Sequence, residues 1–537
     1  MADIRHRSNS NSETMVGQST TTLGQHENEK PIERPLSQVR ICMILATVVC
    51  ITFLNSVFSG LMTVSLPTIA SDVLLAETLL LWPAAVSSLA CGCTLLIFGS
   101  VSDVVGNRII YLVGTFFLST TTVFCGLSRT GLELILSRTA QGLAMALCLP
   151  SSVSLITKNI PQGRFRNIAI SCLGAGQPVG FGVGMVVGGL FIRYLRWRYA
   201  FYVGGALTFV IFVCSVFALP KDAVTSESIS DTFRRLKREI DWIGCVLLST
   251  CLGLFTYDFS VLASGARNIL TPASITLSVA AVLLIPLFVF WIHRQERLHR
   301  KVIIPPSLWR NKIFASLCTI VFVAWGSFNA SQYFIALYFQ LVVNLDAYKT
   351  ALLFLPQVIS GLATNLMTGW LVKHVRADVL IICSGIITAI CPVLMATIDP
   401  EWSYWRSAFF ALCCIPVCAD VLFTVANLLI VSLFPADTHG LAGGVFNTAS
   451  NIGNSVGLSI TAVIAASVTA ADIDEYPMHV SLMNGYRAAF WASFAANVLI
   501  LFIAGYGLRK VGKVGALVEK AVPFAVRKDN SVVYGCC

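Results

Sequence analysis

Apolar runs of about 20 residues recur almost without pause between residues 41 and 508, and they restrict the fold more than any other feature. A bilayer core of roughly 30 Å requires about 20 apolar residues per helix, so each run is long enough to cross a membrane. Hydrophobic residues make up 56% of the 537 residues and charged residues 12%, which is too apolar for ordinary water-soluble domains. The sequence therefore predicts an all-α integral membrane protein.

Fourteen runs reach the required length, and we place their ends to within about four residues. The predicted spans are 41–66, 79–97, 109–127, 132–156, 168–194, 199–219, 243–262, 275–292, 314–342, 351–372, 379–397, 408–434, 441–466 and 490–508.

Lysine and arginine are divided unequally between alternating loops. Basic residues are retained on the cytoplasmic side of a membrane. Of the 37 lysines and arginines, 28 fall in segments on the same side as the N-terminus, eight fall in the opposite loops, and Arg138 lies within a span. We therefore predict that both termini are cytoplasmic. The same distribution attributes the net charge of +10 to membrane topology and argues against a nucleic-acid partner.

Signatures of catalysis and cofactor binding are missing from the sequence. It contains no phosphate-binding loop G-x-x-x-x-G-K-[ST], no metal-spaced Cys/His set and no nucleophile elbow. We therefore predict that the chain is not an enzyme, uses no cofactor or metal, and takes its energy from an ion gradient rather than from ATP.

A polar motif follows the second predicted span and reads G-S-V-S-D-V-V-G-N-R from Gly99 to Arg108. Gly99 allows close packing at a helix end, Gly106 permits a tight turn, and Asp103 can meet a helix N-terminus or a basic side chain at the membrane rim. The motif resembles the loop signature of the major facilitator superfamily, G-x-L-A-D-R-x-G-R-R. Two positions at which that family prefers arginine carry valine and asparagine instead.

An arginine lies within the fourth predicted span, in the run L-S-R-T-A-Q-G that contains Arg138 and Gln141. The run resembles the intramembrane R-x-x-Q-G motif of the same superfamily. An arginine in hydrocarbon costs several kcal/mol unless it faces a cavity or a partner. Arg138 and Gln141 are therefore candidates for proton coupling or gating, together with Asp103 and Arg108 of the loop motif. The alternative is that Arg138 snorkels toward the outer headgroups.

The fifth predicted span is rich in glycine, at spacings that clear helix faces for close packing or bending. It resembles the antiporter motif of exporters in the superfamily, G-x-x-x-G-P-x-x-G-G, although the order around Gln177 and Pro178 differs. This resemblance favours export over uptake, and the alternative is a packing face without a transport role. With Gly99 and Gly106, the structural glycine motif comprises Gly174, Gly176, Pro178, Gly180, Gly184, Gly188 and Gly189.

The segment W-R-Y-A-F-Y that begins at Trp197 resembles a junction of the fourteen-span drug:proton antiporter branch, which includes fungal multidrug and aminotriazole-resistance transporters. The run D-W-I-G that begins at Asp241 resembles that branch's entry to span seven. The resemblance implies a major facilitator fold with two six-helix halves and two additional connecting helices. The branch usually carries an acidic residue in span one, but that position is Phe58 here, so its role in proton coupling does not transfer.

The spans and polar segments divide the chain into seven parts. These are a disordered cytoplasmic tail (1–40), an N-terminal six-helix half (41–219), a cytoplasmic loop (220–242), two extra transmembrane helices (243–292), a cytoplasmic linker (293–313), a C-terminal six-helix half (314–508) and a cytoplasmic tail (509–537).

A carrier of this kind needs a cavity between its halves near the bilayer midplane. Asp420, in the middle of the twelfth span, is the best carboxyl for proton coupling, because intramembrane ionisable residues are usually functional. A hydrogen-bonded structural role is the alternative, and Asp258 is a weaker candidate. The polar and aromatic residues predicted to line the cavity are Asn55, Gln177, Trp325, Asn329, Gln332, Tyr333, Gln357, Asn427, Asn447, Asn451 and Asn454.

Three functions are compatible with these features. We favour a monomeric, proton-coupled exporter of drugs, toxins or secondary metabolites in the plasma membrane or the vacuolar membrane, with a small-molecule substrate, protons and membrane lipids as its partners. An uptake facilitator for ammonium or another nutrient is the second, since Phe58 removes the usual acidic site. A transporter-like membrane sensor that binds a solute without carrying it is the third.

Overall fold

The computed structural model describes residues 38–75, 79–160, 164–220, 234–236, 238, 240–263, 271–298, 302, 306–434, 439–472, 475–509 and 511–512. Most of the predicted tails 1–40 and 509–537 and of the predicted loop 220–242 lies outside these residues. The first helix begins at Gln38, close to the predicted start at residue 41.

The described chain is built mainly from α-helices. They are α1 (Gln38–Asp72), α2 (Trp82–Val105), α3 (Asn107–Leu127), α4 (Gly131–Asn159), α5 (Arg164–Tyr194), α6 (Trp197–Ala218), α7 (Trp242–Ala263), α8 (Pro272–Arg297), α9 (Pro306–Arg310), α10 (Lys312–Leu337), α11 (Ala347–Leu353), α12 (Leu355–His374), α13 (Ala377–Ala396), α14 (Ala408–Cys414), α15 (Val417–Leu433), α16 (His439–Asp472) and α17 (Met478–Gly507). A π-helical turn, Tyr338–Val342, extends α10, and a 3-10 turn, Tyr404–Arg406, precedes α14.

Thirteen helical segments of the described chain are long and apolar enough to cross a membrane, with α11–α12 and α14–α15 each counted as one. The remaining predicted span coincides with α7, whose segment Trp242–Phe255 is apolar but shorter. These segments follow the predicted order of fourteen spans. The prediction of an all-α, multi-pass membrane protein is confirmed.

The helices pack as two groups of six with a helical hairpin beside them. In the first group α1 packs against α5, α3 against α6, and α4 against α2 and α3. In the second group α10 packs against α16, and α17 packs against α10, α13 and α16. The groups meet where α2 contacts α16 and where α5 contacts α11 and α12. The hairpin is formed by α7 and α8, and α7 touches both α2 and α16 of the body.

Alternating spans give the bundle two ends, which we name the Gln38 end and the Asp72 end after the first and last residues of α1. Arg40 donates a hydrogen bond to the carbonyl of Ala218, so α6 finishes where α1 starts. Gly507 lies against Ser316 near the start of α10, so α17 also finishes at the Gln38 end. The first and last helices therefore begin and end on the same side.

Two predicted spans are broken helices. The span predicted at 351–372 breaks at Phe354, just before a proline at the start of α12. The span predicted at 408–434 breaks at Ile415 and Pro416. Proline lacks an N–H and obstructs the preceding helical turn, so both breaks leave carbonyls without helical partners. The hydroxyl of Tyr404 donates to the carbonyl of Leu353 at 2.7 Å and satisfies one of them.

Five helices have a boundary more than four residues from the predicted one: α1, α2, α8 and α16 end later than predicted, and α17 begins earlier. α17 begins at Met478 rather than at 490, because its first turns carry polar residues that hydropathy assigns to a loop. Those residues are held by the fold: Asn484 donates to Asp472 at 2.8 Å, and Arg487 donates to the carbonyl of Ile398 at 3.0 Å. α2 continues to Val105, so most of the predicted loop motif is helical.

Candidate functional site

A cavity of about 210 Å³ lies between the two groups of six helices. Its wall is made by α1, α2, α4 and α5 on one side and by α10, α12, α15 and α16 on the other. Both groups therefore contribute side chains to one space, which is the position at which a carrier binds its solute.

The structure brings most of the predicted site residues together at this cavity. Ten of the predicted lining residues form its wall, together with the two charged candidates Arg138 and Asp420; these ten are Asn55, Gln177, Trp325, Asn329, Gln332, Tyr333, Gln357, Asn447, Asn451 and Asn454. Asn427 is not among the lining residues. Its amide instead donates to the carbonyl of Phe423 on its own helix at 2.8 Å.

Arg138 is held by the first group of helices. It is 3% exposed, its Nε donates to the carbonyl of Pro83 at 3.1 Å, and one terminal nitrogen donates to the side-chain oxygen of Gln141 at 2.5 Å. Gln141 in turn donates to the hydroxyl of Thr122 on α3 at 2.9 Å. Within the described chain no carboxylate pairs with Arg138, so its charge is met only by neutral oxygens at the cavity wall.

Asp420 lies in the first turn of α15, directly after the break in the twelfth span. Its side chain is half-buried at the cavity wall, and its Oδ2 is buried without a hydrogen-bond partner in the described chain. Gly361 and Pro178 pack nearby, and the Asn365 amide donates to the carbonyl of Gly361 at 3.1 Å. Arg138 and Asp420 are the two charged residues among the side chains that line the cavity.

The break beside Asp420 is held together by side chains from neighbouring helices. Thr388 of α13 donates to the carbonyl of Cys414 at 3.0 Å and accepts from the backbone N–H of Cys418 at 2.9 Å. Ser360 of α12 donates to the carbonyl of Cys413 at 2.5 Å. These bonds replace part of the missing helical ladder and fix the start of α15, which carries Asp420.

Aromatic rings form the wall of the cavity toward the Gln38 end. The ring centroids of Trp325, Phe423 and Phe446 are 6.3 to 6.5 Å apart. Trp325 and Phe423 line the cavity itself. Such rings offer apolar faces to an organic solute.

The two groups of helices touch on both sides of the cavity. Toward the Asp72 end, Gln340 donates to the carbonyl of Val64 at 3.1 Å, and the Arg193 guanidinium lies 5.0 Å from the ring centre of Tyr348. Toward the Gln38 end, a Cβ at Gly444 would lie 3.1 Å from a methyl group of Leu96.

The predicted glycine motif of α5 packs on two different neighbours. Gly180, Gly184 and Gly188 face α1, where each abuts residues between Phe53 and Ser65. Gly189 faces the second group instead, and a Cβ there would lie 2.8 Å from the backbone Cα of Tyr348. Gly174 approaches the Phe423 ring, Gly176 faces α1, and Pro178 lines the cavity. The glycines thus allow close approach both within one group and between the groups.

The loop motif lies at the Gln38 end, outside the set of residues that line the cavity. Gly106 has φ 114°, which favours glycine, and forms the turn between α2 and α3. Gly99 faces Pro150, Asp103 is exposed, and Arg108 donates to the carbonyl of Val216 at 3.0 Å. These residues connect helices of the first group.

The departure from the family motif at Asn107 has a structural reason. Asn107 is 2% exposed and accepts a hydrogen bond from Ser102 at 2.7 Å, and Ser102 lies 2.9 Å from the hydroxyl of Ser151. A neutral amide fits this buried network, whereas an arginine there would bury a charge.

The sequence interpretation missed a hydroxyl-rich face of α1. Thr52, Ser56, Ser59 and Thr63 line the cavity beside Asn55. Their spacing of three or four residues places them on one helix face, and this period was available in the sequence. It was overlooked because serine and threonine are common in membrane helices as partners of their own backbone, as Ser59 is with Asn55.

Comparisons with known proteins agree with this architecture. The sequence matches the model of the Major Facilitator Superfamily over residues 48–458. It is 39% identical to MFS-type transporter 1 of Pyricularia oryzae, over 93% of this chain and 88% of that protein. It is 24% identical to the low affinity ammonium transporter of Saccharomyces cerevisiae, over 79% of each chain, and 24% identical to efflux pump terJ of Aspergillus terreus, over 92% of this chain and 93% of that protein.

Among solved structures, the fold resembles a bacterial homologue of the human lysosomal transporter Spinster in an inward-facing and unoccupied conformation. The TM-score is 0.56 at 16% identity, over 90% of this chain and 99% of that chain.

Proposed function

The chain belongs to the major facilitator superfamily and is a multi-pass membrane transporter, and we propose that it exports small organic compounds in exchange for protons. The observation that carries this proposal is a cavity wall with two charged side chains, Arg138 and Asp420, that are not paired with each other. Buried charges are expensive and are normally paired. Two unpaired ionisable groups facing one cavity suit a site that binds and releases charge as part of a cycle.

Asp420 is the residue we assign to proton coupling. A carboxylate with a buried, unpartnered oxygen is costly when ionised, and binding a proton removes that cost. The carboxyl also faces the cavity, so a proton and a solute would compete for the same place. Release of the proton would then accompany binding of the solute, which is the exchange that an antiporter requires.

Arg138 and Gln141 are assigned to positioning a fixed positive charge at the cavity. The guanidinium is anchored to carbonyls of α2 and α4, so it cannot easily move to the headgroups. A fixed charge on the wall favours an anionic group in the solute or an ionised Asp420 on the opposite wall. Asp103 and Arg108 are assigned to gating at the Gln38 end.

Export is the direction we propose. The glycine motif of α5 and the relative that is named an efflux pump support it. The division of basic residues and the shared end of α1 and α17 support cytoplasmic termini and therefore a cytoplasmic Gln38 end. We place the protein as a monomer in the plasma membrane or the vacuolar membrane, with the seven sequence parts given above as its organisation.

An uptake facilitator for ammonium or another nutrient is the second candidate. Phe58 occupies the position of the usual acidic residue of the branch, is 1% exposed and stacks on Phe201 with 6.3 Å between ring centres. It therefore packs between α1 and α6 and leaves no titratable group at that site. The relative that is named an ammonium transporter is consistent with this candidate.

Transport in sealed vesicles tests both candidates. Purified protein is reconstituted with a pH-sensitive dye inside, and uptake of ammonium and of a panel of small organic compounds is followed with and without an imposed pH gradient. We expect organic compounds to move in the direction opposite to the flow of protons. Asp420→Asn should abolish the response of transport to pH, and the matched variant Asn427→Ala should retain it. Movement that ignores the gradient would exclude proton coupling, and solute binding without movement would favour a sensor.

A further inference from the structure

Both groups of helices contribute unpaired hydrogen-bonding groups to the cavity wall, and the charged residues Arg138 and Asp420 lie on opposite sides of it. At the level nearer the Asp72 end, the groups without protein partners include donors. Arg138 has no carboxylate partner, and the Gln332 amide nitrogen and the Tyr333 hydroxyl are buried without any hydrogen-bond partner in the described chain. All three residues line the cavity.

Toward the Gln38 end, the free groups include acceptors. The amide nitrogens of Asn447 and Asn451 donate to backbone carbonyls of Gly443 and Asn447 on their own helix, both at 2.9 Å. A carbonyl can only accept, so the orientation of each amide is fixed and its oxygen is left for the cavity. Asp420 adds a carboxyl whose Oδ2 is buried and unpartnered in the described chain.

Arg138 and Asp420 lie at different levels along the helices that carry them. Arg138 is seven residues from the start of α4 and Asp420 is twelve residues from the start of α14, and both helices start at the Asp72 end. Asp420 therefore lies further from the Asp72 end than Arg138 does. The Arg138 side chain extends the separation, because it reaches back to the carbonyl of Pro83 near the start of α2.

The size of the cavity limits what can join these levels. Its volume of about 210 Å³ lies below the roughly 300–1,000 Å³ typical of drug-sized sites. A bulky ring system would not fit, whereas a narrow molecule with one polar group at each end would. The aromatic rings of Trp325 and Phe423 and the side chain of Met145 give such a molecule apolar contacts along its length.

We propose that the cavity selects small zwitterions, with a carboxylate or similar oxyanion bound by Arg138 and a protonated amine bound by Asp420. The proposal rests on the proposed transport function and specifies its substrate class. In the bound state each unpaired charge of the wall acquires a partner of opposite sign. The ammonium group takes the place of the proton on Asp420, so the proton leaves to solvent as the zwitterion binds.

Binding to the purified full-length chain in detergent tests the substrate class without requiring transport. The probes are aminohexanoic acid with its amine at the far end of the chain, hexanoic acid, which lacks the amine, and hexylamine, which lacks the carboxylate. Protection against thermal unfolding is titrated with each. We expect the zwitterion to bind about tenfold more tightly than either single-charge probe, as the loss of one charge-assisted hydrogen bond predicts.

Two substitutions assign the ends of the zwitterion. Arg138→Gln should remove the advantage of aminohexanoic acid over hexylamine, and Asp420→Asn should remove its advantage over hexanoic acid. Arg138→Lys retains the charge and should retain most of the preference, and Asn427→Ala, which lies off the cavity wall, should match the parent. Size-exclusion chromatography of each variant establishes that it is folded.

Equal binding of the three probes, binding of none of them, or a preference unchanged by both substitutions would overturn the zwitterion assignment. These results are separate from the test of the proposed function. Selective binding without gradient-driven movement would overturn proton-coupled export and leave the zwitterion site standing. Gradient-driven movement of solutes that lack one of the two charges would overturn the zwitterion site and leave proton-coupled export standing.

Discussion

The guanidinium of Arg138 donates a 2.5 Å hydrogen bond to the side-chain oxygen of Gln141, one helical turn further along α4. The amide nitrogen of Gln141 in turn donates a hydrogen bond to the hydroxyl of Thr122 on α3. The R-x-x-Q spacing therefore places a neutral acceptor under the charge and fixes that acceptor from a second helix. This relationship is not visible in the motif as a string of letters.

Removing the Gln141 side-chain oxygen should leave the buried guanidinium of Arg138 without that hydrogen-bond acceptor. We expect Gln141→Leu to lower the free energy of unfolding by about 1–3 kcal/mol, the usual cost of an unsatisfied buried donor, and to reduce transport because Arg138 loses its fixed orientation. Thermal unfolding and vesicle transport measure the two effects. Thr122→Val is the comparison: it removes the bond from Gln141 to α3 and keeps the Gln141 oxygen beside Arg138, so it should reduce transport less than Gln141→Leu does. A variant as active and stable as the parent would show that this bond does not position Arg138.

The break in the twelfth span should depend on Thr388. Its hydroxyl holds both sides of the break, through Cys414 and Cys418. Thr388→Val keeps the shape of the side chain but removes both bonds, and we expect a loss of about 1–3 kcal/mol in stability together with weaker coupling at Asp420. Thr388→Ser should restore both properties. Ser360→Ala, which removes one bond to Cys413, should have the smaller effect when the two are compared by thermal unfolding.

The contact between the halves at Gly189 should not tolerate a side chain. A Cβ there would lie 2.8 Å from the Tyr348 backbone, which cannot yield as the end of a flexible side chain could. We expect Gly189→Ala to force α5 and α11 apart and to reduce the transport rate severalfold while the protein remains folded. Gly443→Ala is the control, because nothing lies within 4 Å of its added Cβ. Equal transport by both variants would show that the halves need not meet at Gly189.

The W-R-Y-A-F-Y junction should act as a structural clamp. Asp72 accepts hydrogen bonds from Trp197 and Arg198, and Arg198 also donates to the carbonyl of Ser128, so the ends of α1 and α3 are tied to the start of α6. The ion pair between Arg198 and Asp72 is partly exposed, with 24% of the Arg198 side chain and 46% of the Asp72 side chain accessible. We therefore expect Asp72→Asn to cost less than about 1 kcal/mol and to do so mainly at low salt. A large, salt-independent loss of transport would assign Asp72 to the mechanism instead.

Much of the architecture could be predicted because hydropathy and helix length are local properties. The all-α fold, the order of the spans and the family were predicted correctly, since twenty apolar residues can satisfy their backbone in lipid only as a helix or within a closed barrel. The breaks at Phe354 and Ile415 were missed, because a window of apolar residues looks alike whether or not its helix is continuous. The early start of α17 was missed because its polar residues are satisfied by distant parts of the chain.

The cavity-lining residues were predicted from their polarity, because lipid disfavours polar side chains. That criterion selects Asn447 or Gln332 readily, but it cannot separate a lining residue from one such as Asn427 that bonds to its own backbone. The distinction depends on the rotation of α15 about its axis, which is fixed by contacts with α12, α13 and α10. The hydroxyl face of α1 was not predicted, for the opposite reason. Placing serine or threonine in lipid costs too little free energy for these residues to stand out in the sequence.

The α7–α8 hairpin leaves and rejoins the bundle at the same end, and α8 is mostly exposed to the surroundings. Two helices are the smallest piece of membrane chain that can be added between the halves without reversing every span that follows. A single extra helix would have inverted the second half and carried Asp420 to a level mirrored about the midplane, where it could no longer oppose Arg138 as it does here. The parity of the insertion, rather than its sequence, is therefore what preserves the cavity.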